Sequence, residues 1–232
     1  RPSIQAPEAY IDTNIHGTNN ILEWMRRQQM TKLLFASSSS VYGNQAAIPF
    51  REDATMDEPI SPYAFTKRAC ELATHTYHHL YGFDVINARF FTVYGPRQRP
   101  DLAIHKFVKL ISSGQSIQMF GDGSTARDYT FVADTIDGVM KAAAYLLENN
   151  PVYTTVNLGN HTPVKLKALI EGIGEALGIA PQVEQLPMQD GDVDITYADI
   201  TRAQELFGYD PKTNIRDGLS RFVAWFRKQH QA

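Results

Sequence analysis

The order of the sequence patterns predicts an α/β protein built on part of a doubly wound parallel sheet. A helix pattern at 7–29, a short apolar run at 32–36, a second helix pattern at 63–81 and a strand pattern at 84–89 follow one another. This alternation implies parallel pairing with right-handed crossovers. From Tyr94 onward the elements become shorter and mixed, which predicts a smaller α+β lobe.

Local signals support each element of the first part. Residues 1–7 are predicted as a loop, and 7–29 as a long amphipathic helix. The apolar run Lys32–Ala36 is typical of a buried parallel strand, and four serines, Ser37–Ser40, follow it directly. Hydroxyls at the carboxyl end of a strand lie where open α/β sheets bind ligands. A loop rich in proline and acidic residues then leads to the helix at 63–81.

The second part is predicted as a set of short elements, some of which return to the main sheet. We expect one domain at 1–93 and another at 94–232. In chain order we predict a helix at 101–113, strands at 116–119 and 128–131, a helix at 133–147, a strand at 154–158, a helix at 165–178, a strand at 182–186, and helices at 201–207 and 215–229.

Tyr63 and Lys67 are the candidate reactive pair, because four-residue spacing places them on one face of a helix. A free tyrosine phenol has a pKa of about 10, so a phenol that acts as a base at neutral pH needs that value lowered by roughly 3 units. An ammonium at about 5 Å supplies much of the required energy, and a second nearby cation, such as an oxidised nicotinamide, would supply the rest. The spacing alone also occurs by chance in many proteins, so the interpretation depends on the neighbouring motifs.

Four motifs in order carry a resemblance to a known family. They are Ser37–Gly43, Tyr63-x-x-x-Lys67, Arg89–Pro96 and Arg127–Asp134. Together they resemble the extended short-chain dehydrogenase/reductases, and within them the NAD-dependent epimerase/dehydratase family of nucleotide-sugar enzymes. Phe91–Pro96 with Arg99–Ala103, and Pro187–Val193 followed by Thr196–Asp199, are most similar to the UDP-glucuronate 4-epimerases. The resemblance covers the whole chain.

The resemblance implies a Rossmann-like fold that is incomplete in this chain. Family members open with a strand, a glycine-rich turn and a helix that cradles the pyrophosphate, and none of these is present here. We therefore expect the first mononucleotide-binding half to be missing. The glycines at 172–178 do not replace it, because they lie inside a helix pattern and follow no strand.

The resemblance also implies the residues that act on the cofactor and the sugar. Ser38, Tyr63 and Lys67 correspond to the catalytic residues, and with Asn14 and Phe90 they correspond to residues that contact NAD. In that mechanism Tyr63 takes the proton from the sugar 4-hydroxyl, Ser38 hydrogen-bonds the same oxygen, and a hydride leaves C4 for the cofactor. The 4-keto sugar then turns over and receives the hydride on its other face.

Residues implied to bind the substrate are single positions rather than motifs. Ser40 assists Ser38, while Ser37 and Ser39 are interpreted as structural. Arg127 resembles the arginine that pairs with the UDP diphosphate, although it could instead be a surface arginine paired with a neighbouring aspartate. The remaining substrate residues implied by the resemblance are Arg99 and Asp192 for the nucleotide, and Arg1 and Thr92 for the hexuronate carboxylate.

Dehydration of the sugar is disfavoured on chemical grounds. Nucleotide-sugar dehydratases carry an Asp-Glu pair directly after the catalytic hydroxyl, and Ser39-Ser40 stand in those places. A serine hydroxyl is far too weak an acid or base for that reaction.

Composition argues against several other classes of protein, including nucleic-acid-binding, membrane and metal-binding proteins. The net charge of −3 gives no attraction for nucleic acid or acidic membranes, and no apolar run approaches 18 residues. The single cysteine, Cys70, suits a reducing cytoplasm. His75, His78 and His79 have no carboxylate or cysteine at metal-ligand spacing, so no metal site is expected.

Two functions remain open from the sequence. The first is an NAD-dependent 4-epimerase of UDP-glucuronate or UDP-galacturonate. The second is a non-catalytic nucleotide-sugar-binding or scaffolding remnant of the same fold. In both cases we expect self-association, most simply as a homodimer, because the strand at 32–36 would present an unpaired edge.

Overall fold

The computed structural model of the protein describes residues 2–45, 47–188 and 194–230. Its α-helices are α1 (Pro2–Gln5), α2 (Pro7–Tyr10), α3 (Gly17–Arg27), α4 (Pro62–Tyr81), α5 (Ala103–Ser112), α6 (Val132–Glu148), α7 (Leu166–Leu177), α8 (Thr201–Phe207) and α9 (Ile215–His230). Its strands are β1 (Lys32–Ser38), β2 (Asp84–Phe90), β3 (Thr92–Tyr94), β4 (Ile117–Phe120), β5 (Ala126–Phe131), β6 (Tyr153–Leu158), β7 (Pro163–Lys165) and β8 (Val183–Leu186). A π-helical segment, Ile11–His16, joins α2 to α3, and a 3-10 turn, Ser39–Tyr42, follows β1.

The chain divides into two compact units. Unit 1 comprises Arg1–Phe91, Asp137–Leu158 and Ala198–Asp210. Unit 2 comprises Thr92–Ile136, Gly159–Tyr197 and Pro211–Ala232.

Unit 1 is built on a parallel sheet with the strand order β1, β2, β6. Strand β2 is buried on both faces because its alternate side chains enter two different cores. Val85 packs with Leu22 of α3 and Tyr77 of α4 on one face. Ile86 and Ala88 enter a second core, to which α6 contributes Ala142 and Leu146. Helices on both faces of a parallel sheet confirm the predicted doubly wound α/β class.

Unit 2 is an α+β unit with two small sheets. One has the order β3, β5, β7, with β3 parallel and β7 antiparallel to β5, and the other pairs β4 with β8 in parallel. Helices α5, α7 and α9 supply most of its core, for example Ile104, Ile173 and Phe222. The predicted helices at 101–113, 165–178 and 215–229 are therefore the elements that close this core.

The structure differs from the sequence prediction mainly in short elements. Residues 2–5 form a helical turn rather than a loop, and the predicted helix at 7–29 contains the π-helical segment. Strands β3 and β7 are each three residues long and were not predicted. Three residues carry no readable periodicity, so only pairing with β5 identifies them as strands.

Membrane crossing requires a long apolar helix, and the described part of the chain contains none.

Candidate active site

Helix α4 presents Tyr63 in its first turn and Lys67 in its second. The Ser61 side chain caps the helix, and Pro62 occupies a position where no backbone donor is needed. The backbone N–H of Tyr63 donates instead to Ser3 Oγ of α1, at 3.2 Å. Hydrogen bonds to Ser61 and to Ser3 therefore fix the start of the helix. They also fix the backbone from which the Tyr63 side chain projects.

Lys67 is held next to the phenol by strand β1. Its Nζ lies 6.0 Å from the centroid of the Tyr63 ring and 5.3 Å from that of Phe35, and it donates a hydrogen bond of 2.9 Å to the Ala36 carbonyl. Burial lowers the pKa of Lys67. Since the lysine side chain is partly buried, its field at the phenol is less screened than in bulk solvent. The two side chains converge, as the electrostatic argument from the sequence requires.

The hydroxyl turn, residues 38–42, lies at the carboxyl end of β1. Ser38 is 8% exposed, and its Oγ accepts the backbone N–H of Ser40 at 3.2 Å, which caps the 3-10 turn. The same Oγ donates to Ser40 Oγ at 3.1 Å. Ser38 and Ser40 therefore form one hydrogen-bonded pair of hydroxyls.

Asn14 lies on the π-helical segment that precedes α3. Its side-chain amide donates to Thr66 Oγ1 of α4 at 2.9 Å, and its backbone carbonyl accepts a hydrogen bond of 3.2 Å from Cys70 Sγ. The widened helical turn is tied to α4 at two points. Such π-helical turns are frequent at functional sites.

Phe90 ends strand β2 and is the direct parallel partner of Ser38. Its side chain is partly buried against the core that contains Ile86 and Ala88. The ring therefore lies at the same end of the sheet as the hydroxyl turn.

The sequence argument missed a buried polar network behind the hydroxyl turn. It joins Glu71 of α4 to Arg89 of β2, Tyr42 of the turn and Asn157 of β6. Burial by itself would raise the pKa of Glu71, but hydrogen bonds from Arg89 and its neighbours hold that pKa below its usual range. An arginine inside a strand expected to be buried was the signal that could have revealed this network.

Arg127, one of the predicted substrate residues, lines a cleft in unit 2. The cleft has a volume of about 280 Å³ and is lined by Arg127, Lys106 and Asp101 together with aromatic side chains that include Tyr129. Arg127 donates to the Ala126 carbonyl at 2.9 Å. A basic pair beside aromatic rings provides partners for phosphate oxygens and for a base.

The other predicted substrate residues are placed less centrally. Arg99 is exposed and pairs with Asp101, on the wall of that cleft, at 3.1 Å. Thr92 begins β3 as the parallel partner of Tyr129. Arg1 and Asp192 lie outside the described residues.

The histidines of α4 have structural contacts. His78 Nδ1 hydrogen-bonds the Phe83 carbonyl at 2.6 Å, and the rings of His75 and His78 pack on Tyr153. In the ranges that the structure describes, no cluster of three or more His, Cys, Asp or Glu side chains is arranged to hold a metal ion.

Comparison with known proteins places these motifs in a family. A family model described as GDP-mannose 4,6 dehydratase matches residues 1–222. The chain is 49% identical over 226 residues to an uncharacterized protein of Methanocaldococcus jannaschii, covering 97% of this chain and 68% of that protein. It is 41% identical over 229 residues to a UDP-glucuronate 4-epimerase of Thermodesulfobacterium geofontis, covering 98% of this chain and 69% of that protein.

A solved structure has a similar fold. UDP-glucuronic acid 4-epimerase of Bacillus cereus, in complex with UDP-glucuronic acid and NAD, superposes with a TM-score of 0.88 at 31% sequence identity. The match covers 96% of this chain and 70% of that one. With the Tyr-x-x-x-Lys helix, the hydroxyl turn and the parallel sheet in place, the chain belongs to the NAD-dependent epimerase/dehydratase family of nucleotide-sugar enzymes.

Proposed function

We propose that this protein is an NAD-dependent 4-epimerase that interconverts UDP-glucuronate and UDP-galacturonate. The observation that carries the proposal is the convergence of Lys67 Nζ on the Tyr63 ring at 6.0 Å, on a helix packed against β1 and the hydroxyl turn. Among family members, this constellation supports proton transfer at a sugar hydroxyl. The names of the Thermodesulfobacterium and Bacillus relatives support the choice of the UDP-hexuronate.

The proposed proton path uses three side chains of unit 1. Tyr63, as phenolate, accepts the proton of the sugar 4-hydroxyl, and the C4–H bond breaks with departure of a hydride. Ser38 donates a hydrogen bond to the same oxygen as it becomes a carbonyl. After the 4-keto sugar has turned over, Tyr63 returns the proton, so the enzyme ends the cycle unchanged. Lys67 stabilises the phenolate throughout by its charge.

NAD would accept the hydride and later return it to the opposite face of C4. The residues present fit such a group. Lys67 donates one hydrogen bond within the described part of the chain, and an ammonium has three donors, so two remain for ribose hydroxyls. Asn14 and Phe90 are the further candidates to contact the cofactor.

The proposed substrate contacts lie in unit 2. Arg127 would pair with the diphosphate, because a guanidinium fork matches two phosphate oxygens at once. Arg99 and Asp192 would contact the nucleotide, Ser40 the sugar, and Arg1 and Thr92 the hexuronate carboxylate. Holding the carboxylate matters because a 4-keto uronate is a β-keto acid that loses carbon dioxide readily.

Epimerisation is favoured over the dehydration that the name of the family model describes. By the resemblance, Ser39 and Ser40 occupy the positions of the acid and base that dehydratases use. Neither hydroxyl is acidic or basic enough at neutral pH to protonate the C6 hydroxyl, so that it leaves as water, or to remove the proton at C5.

The test is an assay of UDP-sugar interconversion. The chain is incubated with NAD and UDP-glucuronate or UDP-galacturonate, alone and with a separately produced N-terminal mononucleotide-binding half. We expect each 4-epimer to form from the other. Formation of a 4-keto-6-deoxy sugar, or no product under any condition, would overturn the proposal.

One observation favours a second function, non-catalytic binding of a nucleotide sugar. The cleft with Arg127, Lys106 and Tyr129 lies within unit 2 alone, so a nucleotide could bind there without any chemistry in unit 1. Calorimetric titration with UDP and with NAD distinguishes the two. Binding of UDP together with complete failure to bind NAD supports the second function.

We also propose that the protein self-associates, as a homodimer in the cytoplasm. Helices α3 and α4 of unit 1 leave large apolar side chains exposed, among them Trp24 at 55%, Leu72 at 53% and Leu80 at 59%. Within the described ranges β1 pairs with β2 alone, so one edge of the sheet remains available. Sedimentation that is strictly monomeric at high concentration would contradict this expectation.

A further inference from the structure

The polar network behind the hydroxyl turn is centred on one buried ion pair. Glu71 and Arg89 are 2% and 1% exposed, and Arg89 Nε and Nη2 each donate to a different Glu71 carboxylate oxygen at 2.8 Å. Arg68 adds a third charged contact to the carboxylate at 3.1 Å. This two-point pairing fixes the orientation of both side chains.

The pair reaches both ends of the segment that carries the candidate hydroxyls. At one end, Ser37 Oγ donates to Glu71 at 2.6 Å. At the other end, Arg89 Nη1 donates to the hydroxyl of Tyr42 at 2.9 Å, and Asn157 accepts from that hydroxyl at 2.7 Å. Ser38 and Ser40 lie between these two anchored residues. We call Ser37, Tyr42, Glu71 and Arg89 the clamp.

The register of the strands explains why the clamp forms on the face of the sheet that α4 covers. Ser37 and Arg89 are direct partners in the parallel β1–β2 pair, so their side chains leave the sheet on the same face. Glu71 of α4 meets them there. Ser38 and Phe90, the next pair in the register, point to the opposite face. The clamp can thus hold the backbone of Ser38 without occupying the space around its hydroxyl.

The same ion pair also fixes the helix that carries the reactive phenol. On α4, Glu71 lies four residues after Lys67, which is about one helical turn, and eight residues after Tyr63, which is about two turns. The Glu71 carboxylate accepts a hydrogen bond from Ser37, the residue before Ser38. The backbone of α4 connects Glu71 rigidly to Tyr63.

Resting on the proposed epimerase function, we propose that the clamp fixes the backbone at Ser38 relative to helix α4, and so sets the position of the Ser38 hydroxyl for the sugar oxygen that Tyr63 deprotonates. None of its four members contacts the substrate in this role. Stability alone does not explain why this ion pair is present, since a buried ion pair often adds no more to the free energy of unfolding than apolar side chains of similar volume. Geometry is the stronger reason, because a displacement of 1 Å at a reacting centre can cost about 10²-fold in rate.

The test releases each end of the clamp without removing a buried charge. Ser37→Ala deletes only the hydroxyl that donates to Glu71, and Tyr42→Phe deletes only the hydroxyl shared by Arg89 and Asn157. The control is Thr74→Val, because Thr74 is fully buried on α4, the helix of Glu71. Its hydroxyl donates to Asn87 at 3.1 Å and, within the helix, to the Glu71 backbone carbonyl at 2.7 Å, so its loss leaves the Glu71 carboxylate and residues 37–42 untouched. Each variant loses one buried hydroxyl with its hydrogen bonds, and thermal unfolding measures what each loses in stability.

Steady-state kinetics provides the first measurement. We expect kcat to fall about 10- to 100-fold in Ser37→Ala and Tyr42→Phe, with KM changed less than about 3-fold, because geometry rather than binding is lost. Thr74→Val is expected to keep kcat within about 2-fold at a comparable loss of thermal stability. Loss of kcat in all three variants in proportion to stability would overturn the proposal.

Hydrogen exchange of the backbone amides at 39–43 provides a second measurement that needs no substrate. We expect exchange there to be at least about tenfold faster in both clamp variants and unchanged in Thr74→Val. Unchanged exchange in the clamp variants would overturn the proposal. If the wild-type protein epimerises nothing, the proposed function fails, and hydrogen exchange still decides whether the clamp holds the hydroxyl turn.

Discussion

The proposed catalytic residues of unit 1 and the proposed nucleotide residues of unit 2 are held in different ways. Ser37, the residue before Ser38, hydrogen-bonds the buried Glu71 carboxylate, and Lys67 hydrogen-bonds the Ala36 carbonyl. Arg99, by contrast, is exposed and pairs only across the surface with Asp101 in the structure as described. Chemistry at a reacting bond depends on positions to within fractions of an ångström, whereas attraction of a diphosphate tolerates movement of a long side chain.

The difference shows which side chains the fold positions most closely, namely those proposed to act at the reacting bond. The proposed catalytic residues occur in motifs of fixed spacing because one helix and one strand end carry them. The proposed nucleotide residues occur singly because each comes from a different loop or strand. Substitutions should therefore cost most in unit 1 and act on rate, and cost less in unit 2 and act on affinity.

The largest effect is expected for Tyr63→Phe. Removing the hydroxyl removes the proton acceptor, so kcat should fall by about 10³-fold, within the range typical of general base catalysis. Steady-state assay of UDP-hexuronate interconversion measures the loss. The matched control is Tyr10→Phe, since the Tyr10 ring contacts Tyr63 edge-on at 6.0 Å but has no proposed chemical role. Equal losses in the two variants would contradict the assignment.

Lys67→Met should have the next largest effect. Loss of the ammonium removes the charge that stabilises the phenolate, so kcat should fall by about 10²-fold at neutral pH. Lys141→Met, which removes a surface lysine paired with Asp137, is the control. Equal kcat values in Lys67→Met and Lys141→Met would argue against electrostatic activation.

Arg127→Gln should weaken nucleotide binding by about 10- to 100-fold, the energy of a charge-assisted hydrogen bond or two. Calorimetry with UDP measures this loss, and affinity for NAD should not change. Arg216→Gln removes an exposed arginine paired with Glu175 at 3.7 Å and serves as the control. Unchanged affinity for UDP would leave Arg127 as a surface arginine, the alternative that the sequence left open.

The smallest effect concerns the pH dependence of stability in unit 1. Hydrogen bonds from Arg89 and its neighbours, acting against burial, hold the pKa of Glu71 below its usual range. A carboxyl with a depressed pKa adds stability that is present above the unfolded pKa, about 4.3, and is lost as pH falls through the folded pKa. Denaturant unfolding between pH 6 and pH 3 should therefore show a shallower decline in Glu71→Gln than in the wild-type protein. Parallel declines in the two proteins would contradict this.

Much of the fold followed from local pattern because each long element carries its own periodicity. The helix at 63–81 and the strands at 32–36 and 84–89 were predicted within a few residues of α4, β1 and β2. Short strands such as β3 exist only through their partners, so no local signal could reveal them.

The residues of the site show the same difference between local spacing and tertiary packing. Tyr63 and Lys67 are four residues apart in a helix, and so their common face is determined by the sequence. Glu71 and Arg89 are eighteen residues apart, and only the pairing of β1 with β2 under α4 makes them one buried unit.

Residue spacing within single elements was enough to predict the α/β class, the family motifs and the candidate reactive pair. Only the tertiary structure decided which polar residues hold those elements together and which line the cleft of unit 2. The physical reason is that hydrogen bonds and ion pairs between distant segments depend on strand register and helix packing, and sequence spacing does not record either.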